Sequence, residues 1–192
     1  MREARGTGAG RQGPSPETLL EFLRAGEAWL ARRGLESPRL EAELLLGHAL
    51  GLPRLQLYLA FDRPLAGAEA GRYRELLFQR GKGVPLAYLR GEREFYSLAF
   101  QVDRRVLIPR PETELLVDAA LALGERPARF ADVGTGSGCI AVSLAVHRPA
   151  WEGIGLDLAP GALEVAAANA ARHGVEQRLL FLAGDLLAPL EG

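Results

Sequence analysis

Three glycines and three aspartates in the second half of this 192-residue chain have the spacing of a nucleoside-binding site. Residues 130–138 read Phe-Ala-Asp-Val-Gly-Thr-Gly-Ser-Gly, which predicts a strand, a tight glycine turn and the start of a helix. The glycines Gly134, Gly136 and Gly138 permit positive φ and let a ligand approach the backbone closely. Asp132 precedes the turn and is placed either to contact a ligand or to bind loop amides, and the sequence leaves both roles open.

The other two aspartates follow the next two predicted strands. Asp157 stands 19 residues after Gly138, where a carboxylate can accept hydrogen bonds from both hydroxyls of a ribose. Gly184 and Asp185 follow the third strand, where a side-chain oxygen can meet an adenine amino group. Because ligands bind beyond the carboxyl ends of parallel strands, the sequence predicts a single nucleoside site at this edge of the sheet.

The spacing of the glycines indicates which nucleoside is bound. A dinucleotide fingerprint would require Gly or Ala at position 139, where the chain has Cys139. The spacing found looks like the first motif of class I methyltransferases, whose ligand carries a sulfonium and an amino-acid end and no phosphate. An acidic residue suits such a cation. The predicted cofactor is therefore S-adenosylmethionine.

Particular residues argue against other kinds of site. Ser137 cannot be the nucleophile of a hydrolase elbow, because Thr135 stands where that motif needs a glycine. Lys82 precedes every predicted parallel strand, which argues against a phosphate-binding P-loop. No metal is predicted, because the histidines lack Cys or carboxylate partners at ligand spacing. These histidines are His48, His147 and His173.

Composition limits the remaining possibilities. A hydrophobic content of 48% allows one good core or two small ones. The formal charge of −1 does not indicate the basic surface that a general nucleic-acid binder has. The single cysteine, Cys139, excludes an internal disulfide and fits a reducing compartment. No apolar run approaches the length that spans a membrane. The predicted location is the cytoplasm.

The elements that position the aspartates and glycines alternate between strand and helix. Three strands are predicted, at Arg129–Val133, Gly153–Leu156 and Leu179–Leu182. Two helices lie between them, at Cys139–Val146 and Gly161–His173. Such units form parallel sheets, so the predicted fold is α/β with a partial, Rossmann-like sheet limited to its first three strands. Val133, Ile140, Val142 and Leu144 are expected in its core.

The first half of the chain has helical periodicity and predicts a small helical bundle. The first helix is expected to start at Ser15 and Pro16 and to end before Gly34, and the second to run from Ser37 and Pro38 to Gly51. A third is expected at Leu55–Leu59 and a fourth at Tyr73–Gln79. The bundle precedes a β-hairpin that begins near Arg93 and a helix that starts at Pro111 and runs to about Leu123.

These patterns divide the chain into four predicted segments. Residues 1–15 are a Gly-rich disordered tail, and residues 16–90 are a helical domain that docks substrate. Residues 91–106 form a β-hairpin linker, and residues 107–192 form the partial α/β domain that binds the cofactor.

Three segments resemble the release-factor glutamine methyltransferases. The octapeptide Leu-Ile-Pro-Arg-Pro-Glu-Thr-Glu at residues 107–114, placed just before the glycine turn, is the most specific of them. Residues 80–88, Arg-Gly-Lys-Gly-Val-Pro-Leu-Ala-Tyr, and the helix at 42–46 also look like that family. The resemblance implies methylation of the glutamine amide in the Gly-Gly-Gln loop of bacterial peptide-chain release factors.

The resemblance also implies roles for particular residues. Residues 134–138, including Thr135 and Ser137, would cradle the methionine end of the cofactor, and Asp157 would bind its ribose. Asp185 and Leu186 would flank the adenine, although some relatives have an aromatic residue in place of the leucine. Thr113 and Glu112 would help to close the site.

In the family the glutamine amide is held by an Asn-Pro-Pro-Tyr loop, and the chain ends at Gly192 before that loop. No catalytic residue is therefore predicted within residues 1–192, and the free edge of the first parallel strand is expected to be unpaired, or covered in an oligomer. Release factors are the predicted partners, with no membrane and no direct nucleic-acid contact. Two alternatives stay open: an enzyme that methylates amino groups of nucleic acids, and a catalytically silent module that binds S-adenosylmethionine.

Overall fold

The structure of the protein is a computed structural model that describes residues 18–190. The chain separates into two compact units, the first ending at Val84 and the second beginning at Pro85. The predicted tail and the expected helix-start residues Ser15 and Pro16 lie outside the described residues. Within residues 18–190, no helix is long and apolar enough to cross a membrane.

The described part of the first unit is helical, as predicted. Its helices are α1 (Leu19–Ala31), α2 (Pro38–Leu50), α3 (Arg54–Tyr58) and α4 (Gly67–Gly81). The start of α1 corrects the prediction, because Thr18 is the N-cap: its hydroxyl accepts the Glu21 N–H at 3.4 Å and the Glu21 carboxylate accepts the Thr18 N–H at 2.7 Å. Helix α4 begins before the expected Tyr73, at Gly67, where the Glu69 carboxylate accepts the Ala66 N–H.

The core of this unit is built mainly from leucines of all four helices. Fully buried members are Leu19, Leu23, Leu30, Leu45, Leu46, Leu57 and Tyr73. Tyr73 of α4 lies against Gly26 of α1, where a Cβ atom would collide with the phenol hydroxyl. A glycine in the middle of α1 therefore allows α1 and α4 to pack closely, at a cost of about 1 kcal/mol in helix propensity.

Glu43 is a buried charge that ties the short helix α3 to α2. Its side chain is 1% exposed and accepts hydrogen bonds from Arg39 Nε (2.6 Å), Arg54 Nε (2.6 Å) and the Tyr58 hydroxyl (2.7 Å). Arg39 also binds Glu27 of α1 at 3.1 Å. Burial alone would raise the pKa of Glu43, but the hydrogen bonds from Tyr58, Arg54 and Arg39 outweigh it and hold that pKa below its ordinary value of 4.5.

Replacing Glu43 with glutamine is expected to lower the free energy of unfolding of the first unit by about 1–2 kcal/mol at neutral pH, because Arg39 and Arg54 keep part of their hydration. A carboxyl with a lowered pKa stabilises the fold above pH 4.5 and loses that contribution as the pH falls through the native pKa. The gap between wild type and E43Q should therefore shrink in acid. Urea unfolding, followed by Trp29 fluorescence in a W151F background, measures it.

The exposed Glu36 supplies the matched control, since E36Q removes a carboxylate of the same unit that has no such partners among residues 18–190. E36Q should unfold like the wild type at every pH. A gap for E43Q that stays constant from neutral to strongly acidic pH would contradict the assigned network.

The second unit contains a hairpin, a parallel sheet and four helices in its described part. Before the sheet come α5 (Leu86–Arg90), β1 (Glu92–Phe95), β2 (Leu98–Gln101) and α6 (Glu114–Leu121). The sheet region comprises β3 (Arg129–Val133), α7 (Cys139–His147), β4 (Glu152–Asp157), α8 (Pro160–Arg172) and β5 (Leu179–Ala183). Strands β3, β4 and β5 are parallel and adjacent in that order. The predicted α/β fold class, with its partial Rossmann-like sheet, is confirmed.

The middle strand of the sheet is glycine-rich on one face because neighbouring aromatic rings lie across it. In the register, Gly153 is paired with Phe130 of β3 and Gly155 with Phe181 of β5. A Cβ atom at either glycine would collide with the paired ring. The two rings join the main core of the unit, which includes Val142 and other residues of α7. The two rings therefore fill the space over this part of the middle strand.

Several details differ from the sequence prediction. Val133 was expected in the core but is 42% exposed, because it lies on β3 together with the exposed Ala131, on the opposite face to Phe130. Residues 111–113 form a 3-10 turn, and α6 starts only after it and ends at Leu121. Helix α5 was not predicted. Along its outer edge β3 pairs with no strand of the described residues, and whether an oligomer covers that edge stays a prediction.

The hairpin of β1 and β2 is an integral part of the second unit. Phe95 and Phe100 are almost fully buried, with ring centroids 6.0 Å apart. Its turn residues Tyr96 and Ser97 have φ of 50° and 59°, which costs a residue other than glycine about 1 kcal/mol or more. The Glu114 carboxylate accepts the Tyr96 N–H at 2.8 Å, so the octapeptide segment stabilises the geometry of this turn.

Candidate functional site

The loop between β3 and α7 has three glycines in the left-handed region. The φ angles of Gly134, Gly136 and Gly138 are 72°, 54° and 75°. A Cβ at Gly134 would meet no atom within 4 Å, whereas one at Gly138 would lie 3.0 Å from the Cβ of Ala166 in α8. Gly134 and Gly136 thus keep the loop surface open, and Gly138 lets α8 pack against its base.

Asp132 anchors the glycine loop from inside the protein. Its Oδ2 accepts a hydrogen bond from the Thr135 hydroxyl at 2.7 Å and from the Ala141 N–H at 3.2 Å, and the residue is 8% exposed. Burial raises the pKa of Asp132 and the charge of Asp157 adds to the rise, although both hydrogen bonds act in the opposite direction. These contacts favour the loop-binding role among the two that the sequence left open.

Asp157 ends β4 and braces the loop from the neighbouring strand. One carboxylate oxygen accepts the Gly136 N–H at 3.0 Å, and the other accepts the Ala159 N–H at 3.0 Å. Its main-chain carbonyl accepts the Gly184 N–H at 3.1 Å, which brings the end of β5 beside it. Each carboxylate oxygen retains a lone pair and the side chain is half-buried, so it can still accept two ligand hydroxyls.

A count of backbone hydrogen bonds shows which groups of the loop remain for a ligand. The N–H groups of Gly134 and Thr135 both bind the Leu156 carbonyl, at 2.8 and 2.9 Å, and the Gly138 N–H binds the Thr135 carbonyl at 2.8 Å. The carbonyls of Gly134 and Gly136 accept no hydrogen bond from the described residues. Two free acceptors beside a carboxylate suit a cationic group better than an anion.

The side chains of Thr135 and Ser137 do not line the loop surface. They are 4% and 2% exposed, and the Thr135 hydroxyl is already bound to Asp132. A ligand can therefore be held at these positions only through the backbone. That Thr135 and Ser137 bind the cofactor stays a prediction, and it concerns only their main-chain atoms.

Asp185 and Leu186 follow β5 and are exposed. Leu186 has a φ of 48° and is 67% exposed, so a non-glycine residue here holds a left-handed conformation without burial to stabilise it. Asp185 lies next to Gly184, which is bonded to Asp157, so both residues border the same strand edge as the glycine loop. The prediction that they flank an adenine remains to be tested.

Thr113 stands apart from this arrangement. It belongs to the 3-10 turn before α6, and its N–H binds the Arg110 carbonyl at 3.0 Å. No hydrogen bond joins Thr113 to the glycine loop within residues 18–190. Its role in closing the site, like that of the exposed Glu112, stays a prediction.

Asn169 is a residue of this site that sequence reasoning missed. It is fully buried in α8 and donates a hydrogen bond to the Ser137 carbonyl at 2.9 Å. The signal was available, since a single amide side chain interrupts a run of alanines from Ala166 to Ala171 on a helix expected to pack on a sheet.

Cys139 follows the glycine loop, yet its environment makes it inert. Burial raises the pKa of its thiol to about 11. The residue is 9% exposed and packs as a small apolar residue. We expect iodoacetamide at neutral pH to leave the folded chain unmodified and to alkylate it fully in urea, as measured by mass spectrometry. Rapid alkylation of the folded chain would contradict this assignment.

Among residues 18–190, no group of three or more His, Cys, Asp or Glu side chains is placed to hold a metal ion.

Two known family models match successive parts of the chain. Residues 21–91 match the family model described as the PrmC N-terminal domain. Residues 111–191 match the model described as ribosomal protein L11 methyltransferase (PrmA). The α/β unit, with its glycine loop and the aspartates around it, is therefore that of a methyltransferase.

Individual relatives narrow the class further. The chain is 46% identical over 177 residues to the release factor glutamine methyltransferase of Nitratidesulfovibrio vulgaris and 45% identical over 179 residues to that of Chlorobaculum tepidum. The alignments cover 92% and 89% of this chain and 60% of each relative. The chain belongs to the release factor glutamine methyltransferase family, and it spans about 60% of the length of these curated relatives.

Solved structures also resemble parts of the chain. One is an RNA methyltransferase from Salinibacter ruber in complex with S-adenosyl-L-homocysteine, with 30% identity, 44% of this chain and 53% of that chain covered, and a TM-score of 0.37. Another is a SAM-dependent methyltransferase from Geobacter sulfurreducens in complex with the same ligand, with 32% identity, 40% and 30% covered, and a TM-score of 0.35.

Proposed function

We propose that the chain is the substrate-docking and cofactor-binding part of a release factor glutamine methyltransferase. The reaction transfers the methyl group of S-adenosylmethionine to the side-chain amide nitrogen of the glutamine in the Gly-Gly-Gln motif of bacterial peptide-chain release factors. One observation carries the proposal: an open glycine loop is held by Asp157 at the end of the adjacent parallel strand. The names of the relatives supply the reaction.

The residues present fit S-adenosylmethionine. The unpaired carbonyls of Gly134 and Gly136 suit the ammonium of its methionine end. Asp157 has acceptor capacity left for the ribose hydroxyls, and Asp185 can accept from the adenine amino group. Leu186 offers an aliphatic contact to the adenine in place of aromatic stacking, so we expect it to contribute less than an aromatic residue would.

When bound, S-adenosylmethionine supplies an electrophilic methyl group. The task of the chain is to fix the direction of that group, because an amide nitrogen is a poor nucleophile and its attack depends on orientation. With the cofactor bound, Asp157 would hold its ribose and the carbonyls of Gly134 and Gly136 would hold its methionine end. We propose that the groups that hold the glutamine amide belong to the Asn-Pro-Pro-Tyr loop of the family, a sequence that residues 1–192 do not contain.

The identity of the first unit favours release factor as the substrate. Residues 21–91 match the PrmC N-terminal domain, which distinguishes the chain from an enzyme that acts on a ribosomal protein. The formal charge of −1 favours a protein over a nucleic acid as the docking partner. Because release factors act on ribosomes, we infer that the protein works in the cytoplasm.

The proposal is tested in two steps. Isothermal titration calorimetry of the chain with S-adenosylhomocysteine is expected to show binding at one site. A chimera then joins residues 1–192 to the remaining segment of the Nitratidesulfovibrio vulgaris relative. It is incubated with labelled S-adenosylmethionine and release factor, and mass spectrometry is expected to find the label on the Gly-Gly-Gln glutamine.

The chain alone, without that segment, is the control and should bind the cofactor without transferring label. Label on another residue of release factor, or on nucleic acid, would refute the substrate assignment. An absence of cofactor binding would refute the enzymatic assignment as a whole.

A further inference from the structure

Asn169 uses its whole amide to join two segments that are far apart in sequence. Its Oδ1 accepts the Gln101 N–H at 2.7 Å, and its Nδ2 donates to the Gln101 carbonyl at 3.0 Å and to the Ser137 carbonyl at 2.9 Å. The side chain is 0% exposed. One amide thus pairs with both polar groups of a residue in β2 and with the glycine loop.

Packing alone does not explain an amide at this position. The buried neighbours on the same face of α8 are alanines and a valine, and an apolar residue of similar size would fill the space without the desolvation of a polar group. Helix α8 also contacts the hairpin through His173, whose Nε2 lies 2.9 Å from the Ala99 carbonyl. Of these two contacts, only that of Asn169 extends to the loop.

The hydrogen bond from Asn169 helps to fix the peptide group that joins Ser137 to Gly138. On one side of this group the Gly138 N–H binds the Thr135 carbonyl, and on the other the Ser137 carbonyl binds Asn169. Turned inward, the Ser137 carbonyl leaves the carbonyls of Gly134 and Gly136 as the acceptors open to a ligand.

We propose that Asn169 is a positioning residue for the methyl donor: it orients the glycine loop and fixes it to the segment that runs from Gln101 into the octapeptide at 107–114. This inference rests on the proposed function, since it assigns a role at the same site. Asn169 does not touch the ligand, and it acts through the backbone of Ser137.

The test compares the loss of two contacts, one made by Asn169 within α8 and one made by His173 at its C-cap. The variant Asn169→Asp keeps the shape and the acceptor for the Gln101 N–H, but its carboxylate cannot donate to the Ser137 carbonyl or to the Gln101 carbonyl. The variant His173→Ala removes the other contact with β2, one turn further from the loop. We expect N169D to weaken S-adenosylhomocysteine binding at least about 10-fold by calorimetry at 25 °C, a loss of about 1.4 kcal/mol, and H173A to change the Kd less than about twofold.

Hydrogen exchange separates positioning from general stability. In N169D, exchange should accelerate in a peptide covering residues 134–138, whereas H173A should accelerate exchange only in the hairpin. If N169D does not fold, Asn169→Leu, which has a similar size and no donor, takes its place with the same expected order of Kd values. Equal Kd values for the wild type and a folded Asn169 variant would overturn the inference while leaving the proposed function intact. A wild-type chain without affinity for the ligand would instead refute the proposed function.

Discussion

Replacing Asp157 with alanine is expected to weaken the binding of S-adenosylhomocysteine by about 100-fold or more. The carboxylate would accept two ribose hydroxyls, and hydrogen bonds to a charged group contribute about 1.5–3 kcal/mol each, so their joint loss amounts to at least about 3 kcal/mol. The same change removes the acceptor of the Gly136 N–H, which loosens the loop as well. Isothermal titration calorimetry measures the Kd directly.

The matched control lies on the same strand. Glu152 begins β4 at the opposite end from Asp157, and its side chain is 63% exposed. The variant E152A should therefore bind the ligand as tightly as the wild type. If D157A binds as tightly as E152A, the ligand does not lie at the carboxyl end of β4, and the assignment of the ribose contact is wrong.

Replacing Gly138 with alanine is expected to lower the free energy of unfolding of the second unit by about 3 kcal/mol. A side chain at φ 75° costs about 1–2 kcal/mol. The new Cβ would also lie 3.0 Å from the Cβ and 3.2 Å from the Cα of Ala166, so α8 must move away from the loop. Urea unfolding followed by the fluorescence of Trp151 in a W29F background reports on this unit.

Gly174 separates the two causes. It has a similar φ of 66°, and a Cβ there would meet no atom within 4 Å, so G174A carries the backbone strain without the collision. We expect G174A to destabilise by only about 1 kcal/mol. Equal losses for G138A and G174A would show that α8 does not press on the base of the loop.

Much of the second unit could be predicted because its signals are local. The strand at Arg129–Val133 has the predicted bounds, and the other two strands and the two helices agree within about one residue at most ends. Glycine turns and the alternation of strand and helix depend on neighbouring residues, which a single sequence displays. The placement of Asp157 beside the loop followed from parallel topology alone.

What could not be predicted depends on contacts between distant segments. The burial of Ser137 and Thr135 follows from the packing of the loop against Asp132 and β4, and the role of Asn169 follows from two hydrogen-bonding partners 32 and 68 residues away. The exposure of Val133 depends on which face of the sheet the helices cover. The start of α1 is a different case, since the capping box of Thr18 and Glu21 is itself a local signal and begins the helix three residues after Ser15.

The glycines of β4 have a consequence for how the second unit tolerates sequence change. On that face the central strand contributes no side chains at Gly153 and Gly155, and the space above it is filled by rings from the strands on either side. The space over each glycine is thus filled by a side chain from the neighbouring strand and not by a side chain of β4. An enlargement at Gly153 is best tolerated when Phe130 is reduced in the same molecule, so these positions are expected to evolve as compensating pairs across homologous chains.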